Sequence, residues 1–293
     1  MSAVIDPYKK ITVSLGGVCE LACRHCYTMT KQFRYAAPRT PQQVVQQIHK
    51  LSGDFATICI SGDTDCFLNP TAGIELIEAI AFNFPSKDLM FTTRLVPPPD
   101  LVSEIGRIAR TLRENGAHMI PGVSFVAPRT PNFSEMSRRI SGVPDRINFL
   151  KDLHGMGMPN LLALRPTFPF SLVSQDDVRS IIDAAGPFVA AVLGEVLLLD
   201  EAGQLADRLH LPRERTTDRM SRMTFLDQPA IWRKRTLSAE VNFAKSISQN
   251  CGIPYFLRSG TAQRYIHDFW QASRPADPDL IRRVSGGDSE PDP

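Results

Sequence analysis

The chain has 293 residues, 43% hydrophobic and 22% charged, the make-up of a globular protein with a sizeable core rather than of a fibrous or disordered one. A formal charge of +2 excludes a global electrostatic pull toward nucleic acid or anionic lipid. The opening MSAVIDPYKK has no apolar h-region and no later run approaches membrane-spanning length, so a cytoplasmic protein with no membrane partner is expected.

Short apolar runs alternate with helical patterns along the chain. Strands are predicted at 10–15, 56–61, 88–94, 119–126, 160–166 and 189–199, all continuous or β-branched enough to be buried on both faces. Thr40-Pro41 opens a first helix with Val44, Ile48 and Leu51 on one stripe, and Asn69-Pro70 opens the next. Asp100 is the expected cap of a third, Pro144-Asp145 starts a fourth, and Ser174 with Asp177 forms a capping box for a fifth. Strand–helix alternation implies parallel pairing with right-handed crossovers.

The fold expected is α/β, a partial (β/α)6 TIM-like barrel with a C-terminal extension; an open doubly wound sheet is the other arrangement of the same units. In either, ligands sit at the C-terminal ends of the strands. The barrel core is assigned to residues 1–200, a substrate-covering region to 201–275, and a disordered tail, rich in Gly, Ser, Asp and Pro, to 276–293. Within the covering region, 207–235 carries eight Arg/Lys against four Asp/Glu, a helix is expected at about 237–249, and CGIPYFLRSG reads as a late strand.

Three of the six cysteines fall in the first loop after a strand, in VCELACRHCY: Cys19, Cys23 and Cys26, spaced C-x3-C-x2-C. As i, i+4 and i+7 they could stripe a helix, but Gly16-Gly17 and the preceding strand favour a loop. Structural zinc normally takes four ligands in two pairs; His25 could join, yet no second pair follows. Three thiolates on a four-iron cluster leave one iron open for a substrate or cofactor. Cys59, Cys66 and Cys251 are scattered, which is not a secreted disulfide framework, and a reducing compartment keeps the thiols free.

Cys19-x3-Cys23-x2-Cys26 resembles the signature of the radical S-adenosylmethionine (radical SAM) enzymes, and CELACRHCY is similar to their C-N-L-x-C-x-H-C-Y form, with Glu20 in place of Asn. The resemblance implies a [4Fe-4S] cluster on the three cysteines and S-adenosylmethionine chelated to the open iron. It implies reductive cleavage of the sulfur–C5′ bond and hydrogen abstraction from substrate by the resulting 5′-deoxyadenosyl radical, with an electron donor such as flavodoxin or ferredoxin. His25 and Tyr27 would lie near the adenine. Ser61, Gly62 and Asp63 would meet the methionine amino group, chiefly through main-chain atoms, and Thr93 would belong to the same cofactor edge. Ser124 would meet ribose. Arg165, costly in an apolar strand without an anion, would fork onto the methionine carboxylate, an ion pair with Asp63 or Asp65 being the alternative. TDCFLNP, FTTRL and the stretch around LLALRPTFP further resemble the spore photoproduct lyase-like branch, without carrying its DNA substrate over.

A small-molecule substrate is the leading expectation, because no multi-cysteine extension for auxiliary clusters follows and no cobalamin domain precedes. A nucleic-acid-acting lyase or repair enzyme is the second reading, with the basic segment from Arg208 to Arg235 and Trp232 as its candidate surface; a non-enzymatic iron–sulfur or zinc module is the third. Cys66 and Cys251 are candidate hydrogen-atom donors, with buried inert thiols as the alternative. His49, His154, His210 and His267 read as surface or packing residues.

Overall fold

The structure is a computed structural model that describes residues 10–269, except 32, 52, 61, 127–139, 196, 212–219, 226–227 and 236; between 220 and 235 it describes the backbone and the side chain of Trp232. Ser61, the tail 276–293 and most of the basic side chains of 207–235 therefore lie outside the described residues.

Six parallel strands follow the predicted runs: β1 (Lys10–Val13), β2 (Thr57–Ile60), β3 (Asp88–Thr93), β4 (Met119–Phe125), β5 (Leu161–Leu164) and β6 (Ala191–Gly194). The connecting helices are α1 (Pro41–His49), α2 (Pro70–Asn83), α3 (Pro99–Glu114), α4 (Val143–Gly155) and α5 (Gln175–Ala185). Helix starts are set by the residues expected: Thr40 and Gln43 close a reciprocal capping box on α1, Asn69 accepts from Ala72 N–H on α2, and Ser174 accepts from Asp177 N–H on α5. At α3 the cap is Pro98, and Asp100 stands inside the first turn, where a carboxylate favours the helix dipole without capping.

The run 189–199 is two strands, not one. Its first part is β6; its second, β7 (Leu197–Asp200), leaves the barrel and pairs antiparallel with β9 (Gln228–Arg235), itself paired with β8 (Met220–Phe225). A continuous apolar run carries no periodicity mark that would place the break. Helix α6 (Gln204–Arg208) follows β7, and the buried Asp200 carboxylate accepts from the N–H groups of Gln204 and Leu205 at its start. After α7 (Ser238–Asn250), β10 (Tyr255–Phe256) returns to pair parallel with β6, giving the order β1-β2-β3-β4-β5-β6-β10. The sheet is thus a curled partial barrel of seven strands, one more than expected, and the segment after residue 200 is woven into it rather than set apart.

Strand alternation gives this sheet two apolar faces. Ile58, Ile60, Leu89, Phe91, Val123, Phe125, Leu162, Leu164 and Val192 pack outward against the helices. Cys59, Met90, Ile120, Leu161, Ala191, Leu193 and Phe256 form a separate inner cluster with Ala262, Tyr265 and Ile266 of the last described helix, α8 (Ser259–Phe269). Helix α8 thus fills the barrel interior. Lys10 Nζ donates to Ser259 Oγ at its start, and His267 Nδ1 donates to the buried Asp88 carboxylate near its end, both at 2.9 Å. His267, read as a surface or packing residue, is half-exposed and also a tether.

Ile266 is fully buried in that inner cluster. Ile266→Ala should lower stability of the metal-free protein by about 2–5 kcal/mol, as for other deleted core aliphatics, seen as a lower denaturant midpoint at unchanged slope.

Candidate active site

Following the inner face upward leads from apolar to polar side chains: Met90, Thr92 and Arg94 on β3 and its end; Ile120, Gly122 and Ser124 on β4; Leu161, Ala163 and Arg165 on β5 and its end; Ala191, Leu193 and Glu195 on β6 and its end. The upper members open into a cleft of about 970 Å3, open to solvent, which Cys19, Cys23, Cys26, His25, Tyr27, Gly62, Asp63, Thr93, Ser124 and Arg165 also line. Every expected cofactor or metal residue among those described reaches this one cleft. The two expected hydrogen donors are not among its lining residues.

The cysteine loop leaves β1 through Gly16 and Gly17, whose φ values of 71° and 83° lie in the left-handed region. A Cβ on Gly16 would stand 2.4 Å from Ala37 O, so the loop can pass under residues 36–37 only with glycine there. Cys26 N–H donates to Cys23 O at 3.0 Å, and a single 3-10 turn over Tyr27–Met29 follows. None of the three cysteines is in a disulfide; Cys23 is buried and the other two are partly exposed. Burial pushes the Cys19 thiol up, while the N–H groups of Leu21 and Asp65 oppose this by donating to its sulfur. The loop is backed by the small sheet: Tyr27 meets Trp232 edge-on at 5.7 Å, Arg208 Nη2 donates to Met29 O at 2.7 Å, and Lys31 N–H donates to Gln204 Oε1. Arg208 is thereby committed to the loop.

The second loop is held by Asp65. Its carboxylate accepts from Phe67 N–H at 3.0 Å, Thr93 Oγ at 2.8 Å and Arg94 N–H at 2.7 Å. Burial raises the pKa of this acid, and the three hydrogen bonds oppose that shift. Thr93 Oγ is thus occupied within the protein. Asp63 is the opposite case: it is 2% exposed, and among the described residues neither carboxylate oxygen has a hydrogen-bond partner. The carbonyl of Gly62 accepts from Tyr27 Oη, a phenol that burial holds protonated. An uncompensated buried carboxylate is costly unless a ligand supplies the missing donor. The side chain of Asp63 is therefore a candidate contact of this edge beside its main-chain atoms.

Arg165 has a protein partner that the sequence did not point to. Its Nε and Nη2 fork onto Glu195 at 2.7 and 2.9 Å, so neither Asp63 nor Asp65 is its partner. Glu195 ends β6, beyond the reach of any sequence-local pattern. Arg94 is the other residue that sequence reasoning passed over: its Nη2 donates to His25 Nε2 at 3.0 Å and to Arg165 O at 2.7 Å. Burial, with the adjacent guanidinium, holds His25 well below the ordinary imidazole pKa, so the ring is neutral and accepts at Nε2. Ser124 is buried at the cleft wall, and its carbonyl accepts from the Arg146 guanidinium.

A family model described as the radical SAM superfamily matches residues 13–185, more than half of the chain. The chain belongs to the radical SAM superfamily. It is an enzyme of that superfamily, which implies a [4Fe-4S] cluster, S-adenosylmethionine and a source of electrons. Two solved structures of spore photoproduct lyase share the fold. A variant with bound AdoMet and dinucleoside spore photoproduct is 12% identical, with TM-score 0.62, covering 85% of this chain and 76% of that one. A second variant is 11% identical, with TM-score 0.63, covering 88% and 78%. No curated protein sequence matches the chain. Among the described residues, no helix is long and apolar enough to cross a membrane.

The two candidate hydrogen donors, Cys66 and Cys251, lie in different surroundings. Cys66 is buried in the outer core, its Sγ 3.8 Å from Thr92 O, and burial raises its pKa well above the ordinary thiol value. Cys251 is exposed at the end of α7, before β10, and so at the end of the barrel opposite the cleft, where its Sγ faces Asp183. In cluster-loaded enzyme, iodoacetamide followed by mass spectrometry should label Cys251 well before Cys66; prompt labelling of Cys66 would place it on the cleft after all.

The Arg165–Glu195 pair also yields a stability test. Arg165→Met should cost about 1–2 kcal/mol, below the 3–5 kcal/mol of a fully buried broken pair, because the Glu195 side chain is 36% exposed. Adding Glu195→Gln should recover part of the loss, and a double-mutant cycle measures the coupling.

Proposed function

We propose that Cys19, Cys23 and Cys26 hold one [4Fe-4S] cluster, that S-adenosylmethionine binds in the cleft beside it, and that the substrate is a small molecule. When bound, the two groups supply one electron and a 5′-deoxyadenosyl radical able to abstract hydrogen. The observation that carries this reading is the meeting, in one cleft, of three thiols outside any disulfide with the Asp63 carboxylate, whose oxygens lack partners among the described residues.

The residues fit both groups. Burial favours the Cys19 thiol, and the N–H groups of Leu21 and Asp65 partly offset this and would remain to support a thiolate on iron. Asp63 suits an ammonium, such as the amino group of the cofactor's methionine. Glu195 takes Nε–H and one Nη2 hydrogen of Arg165, which leaves the end-on edge, one hydrogen each on Nη1 and Nη2, for a ligand carboxylate. Ser124 stands where a ribose hydroxyl could be met, and the neutral ring of His25, held edge-on to Phe168 at 5.3 Å, offers a surface beside the adenine. Leu197 and Leu198 form an apolar wall opposite, which would exclude water from the reacting region. Arg208, the one Arg or Lys of the basic segment whose side chain is described, is engaged by the cysteine loop rather than displayed for phosphate.

Anaerobic reconstitution should give about four irons and four sulfides per chain in the wild type, as the cluster type requires. Each of Cys19→Ala, Cys23→Ala and Cys26→Ala should lose the cluster or all cleavage, and Cys59→Ala should retain both. Tightly bound zinc without sulfide would defeat the proposal. Reduced enzyme should release 5′-deoxyadenosine, detected by chromatography. Salt-sensitive binding of duplex DNA, read by titration across salt concentrations, would instead favour the nucleic-acid reading.

Asp63→Asn should load the cluster normally and weaken S-adenosylmethionine binding by about 1.5–3 kcal/mol, the range for hydrogen bonds to charged groups. That is roughly a ten- to hundred-fold rise in Kd, read by calorimetry on cluster-replete protein.

A further inference from the structure

Arg94 has no part in the function just proposed, yet it lies where three loops meet. Its main-chain N–H and the Thr93 hydroxyl both hold the Asp65 carboxylate. Asp65, so held, turns its own main-chain N–H toward the sulfur of Cys19. The guanidinium places the two hydrogens of one nitrogen on His25 Nε2 and on the carbonyl of Arg165. His25 lies in the chain between Cys23 and Cys26. The cysteine loop is therefore held at its first cysteine through Asp65 and beside its third through His25, and both holds run back to Thr93-Arg94 at the end of β3. The Arg165 carbonyl completes the brace by tying it to the end of β5.

We infer that Arg94 is a positioning residue that, with Asp65, sets the spacing of the three thiolates and the reduction potential of the cluster; this rests on the cluster assignment above. Two physical effects point the same way. A cation beside the cysteine loop favours the reduced cluster, which carries one more negative charge. N–H groups aimed at a ligand sulfur do the same, since hydrogen bonds to the sulfurs are one of the protein's means of setting the potential. Geometry separates arginine from lysine here: a planar fork can hold two acceptors on different loops in fixed directions, whereas an ammonium on a flexible stem supplies charge without that direction.

The test compares wild type, Arg94→Gln, Arg94→Lys and Thr93→Val. For each, metal-free unfolding, iron and sulfide content, and the midpoint potential from a dithionite titration followed by electron paramagnetic resonance are measured. The spectral change on adding S-adenosylmethionine is recorded as well. Arg94→Gln should remain folded, and its cluster should be about tenfold harder to reduce, about 59 mV for one electron. Arg94→Lys should recover most of the potential but give a broadened or altered spectrum with S-adenosylmethionine. Thr93→Val, which removes one donor from Asp65 and the hydroxyl's contacts with Leu95 but keeps the guanidinium, should shift the potential the same way by less. Folded Arg94→Gln protein that fails to retain a cluster also supports the brace. Wild-type potential and spectrum in Arg94→Gln, with only a lower melting temperature, would overturn it. If Arg94→Gln does not fold, an unchanged potential in Thr93→Val overturns it instead. A wild-type protein that takes up no iron and sulfide fails the cluster assignment itself, a distinct result.

Discussion

A strand buried on both sides must satisfy two environments at once, and everything in this barrel follows from that constraint. Odd and even positions of β2 to β6 go to opposite faces, so one set meets the helices and the other meets the interior. The interior cannot be left hollow, because unfilled apolar space forfeits dispersion contacts. Helix α8 fills its lower part with Ala262, Tyr265 and Ile266. What remains is the upper part, where the same inward positions become Thr92, Arg94, Ser124, Arg165 and Glu195. The cleft is thus the unfilled remainder of the barrel interior, and its polarity is the polarity of the last inward residue on each strand.

Charges in that remainder are largely settled by the protein. Asp65 is satisfied by three donors, Arg165 by Glu195, and the Arg94 guanidinium by His25 and a carbonyl. Fixed, already paired groups of this kind need little reorganisation when a ligand arrives, which is the basis of electrostatic preorganisation. Asp63 stands apart as a buried carboxylate whose oxygens lack partners among the described residues. A site with one strong unmet demand selects for the group that meets it.

Loops carry the chemistry and have little regular structure of their own, so their rigidity is borrowed. Gly73 on α2 illustrates the closeness this needs: a Cβ there would stand 2.1 Å from Cys66 O, so only glycine lets the helix pack against the loop that carries Asp63 and Asp65. The small antiparallel sheet lends support from the other side through Trp232 and Arg208. The C-terminal third of the chain therefore serves the site twice, once as α8 inside the barrel and once as a wall behind the cysteines.

The sequence by itself determined what depends on local patterns. Periodicity located six strands and five helices, caps located most helix starts, and cysteine spacing after the first strand marked the superfamily. These signals are short-range, because alternation, capping and ligand spacing act over a few residues. Only the tertiary structure decided which polar residues meet. Glu195 takes Arg165, Arg94 takes His25, and Asp65 takes Thr93, across separations of 30, 69 and 28 residues. It also left Cys66 and Cys251 out of the cleft's lining, split the run 189–199 between two sheets, and brought β10 back beside β6. A thiol or a carboxylate has the same local signature whether it faces a cleft, a core or solvent. Its role is fixed by what the folded chain sets against it, and that information is absent from any window of the sequence short enough to read.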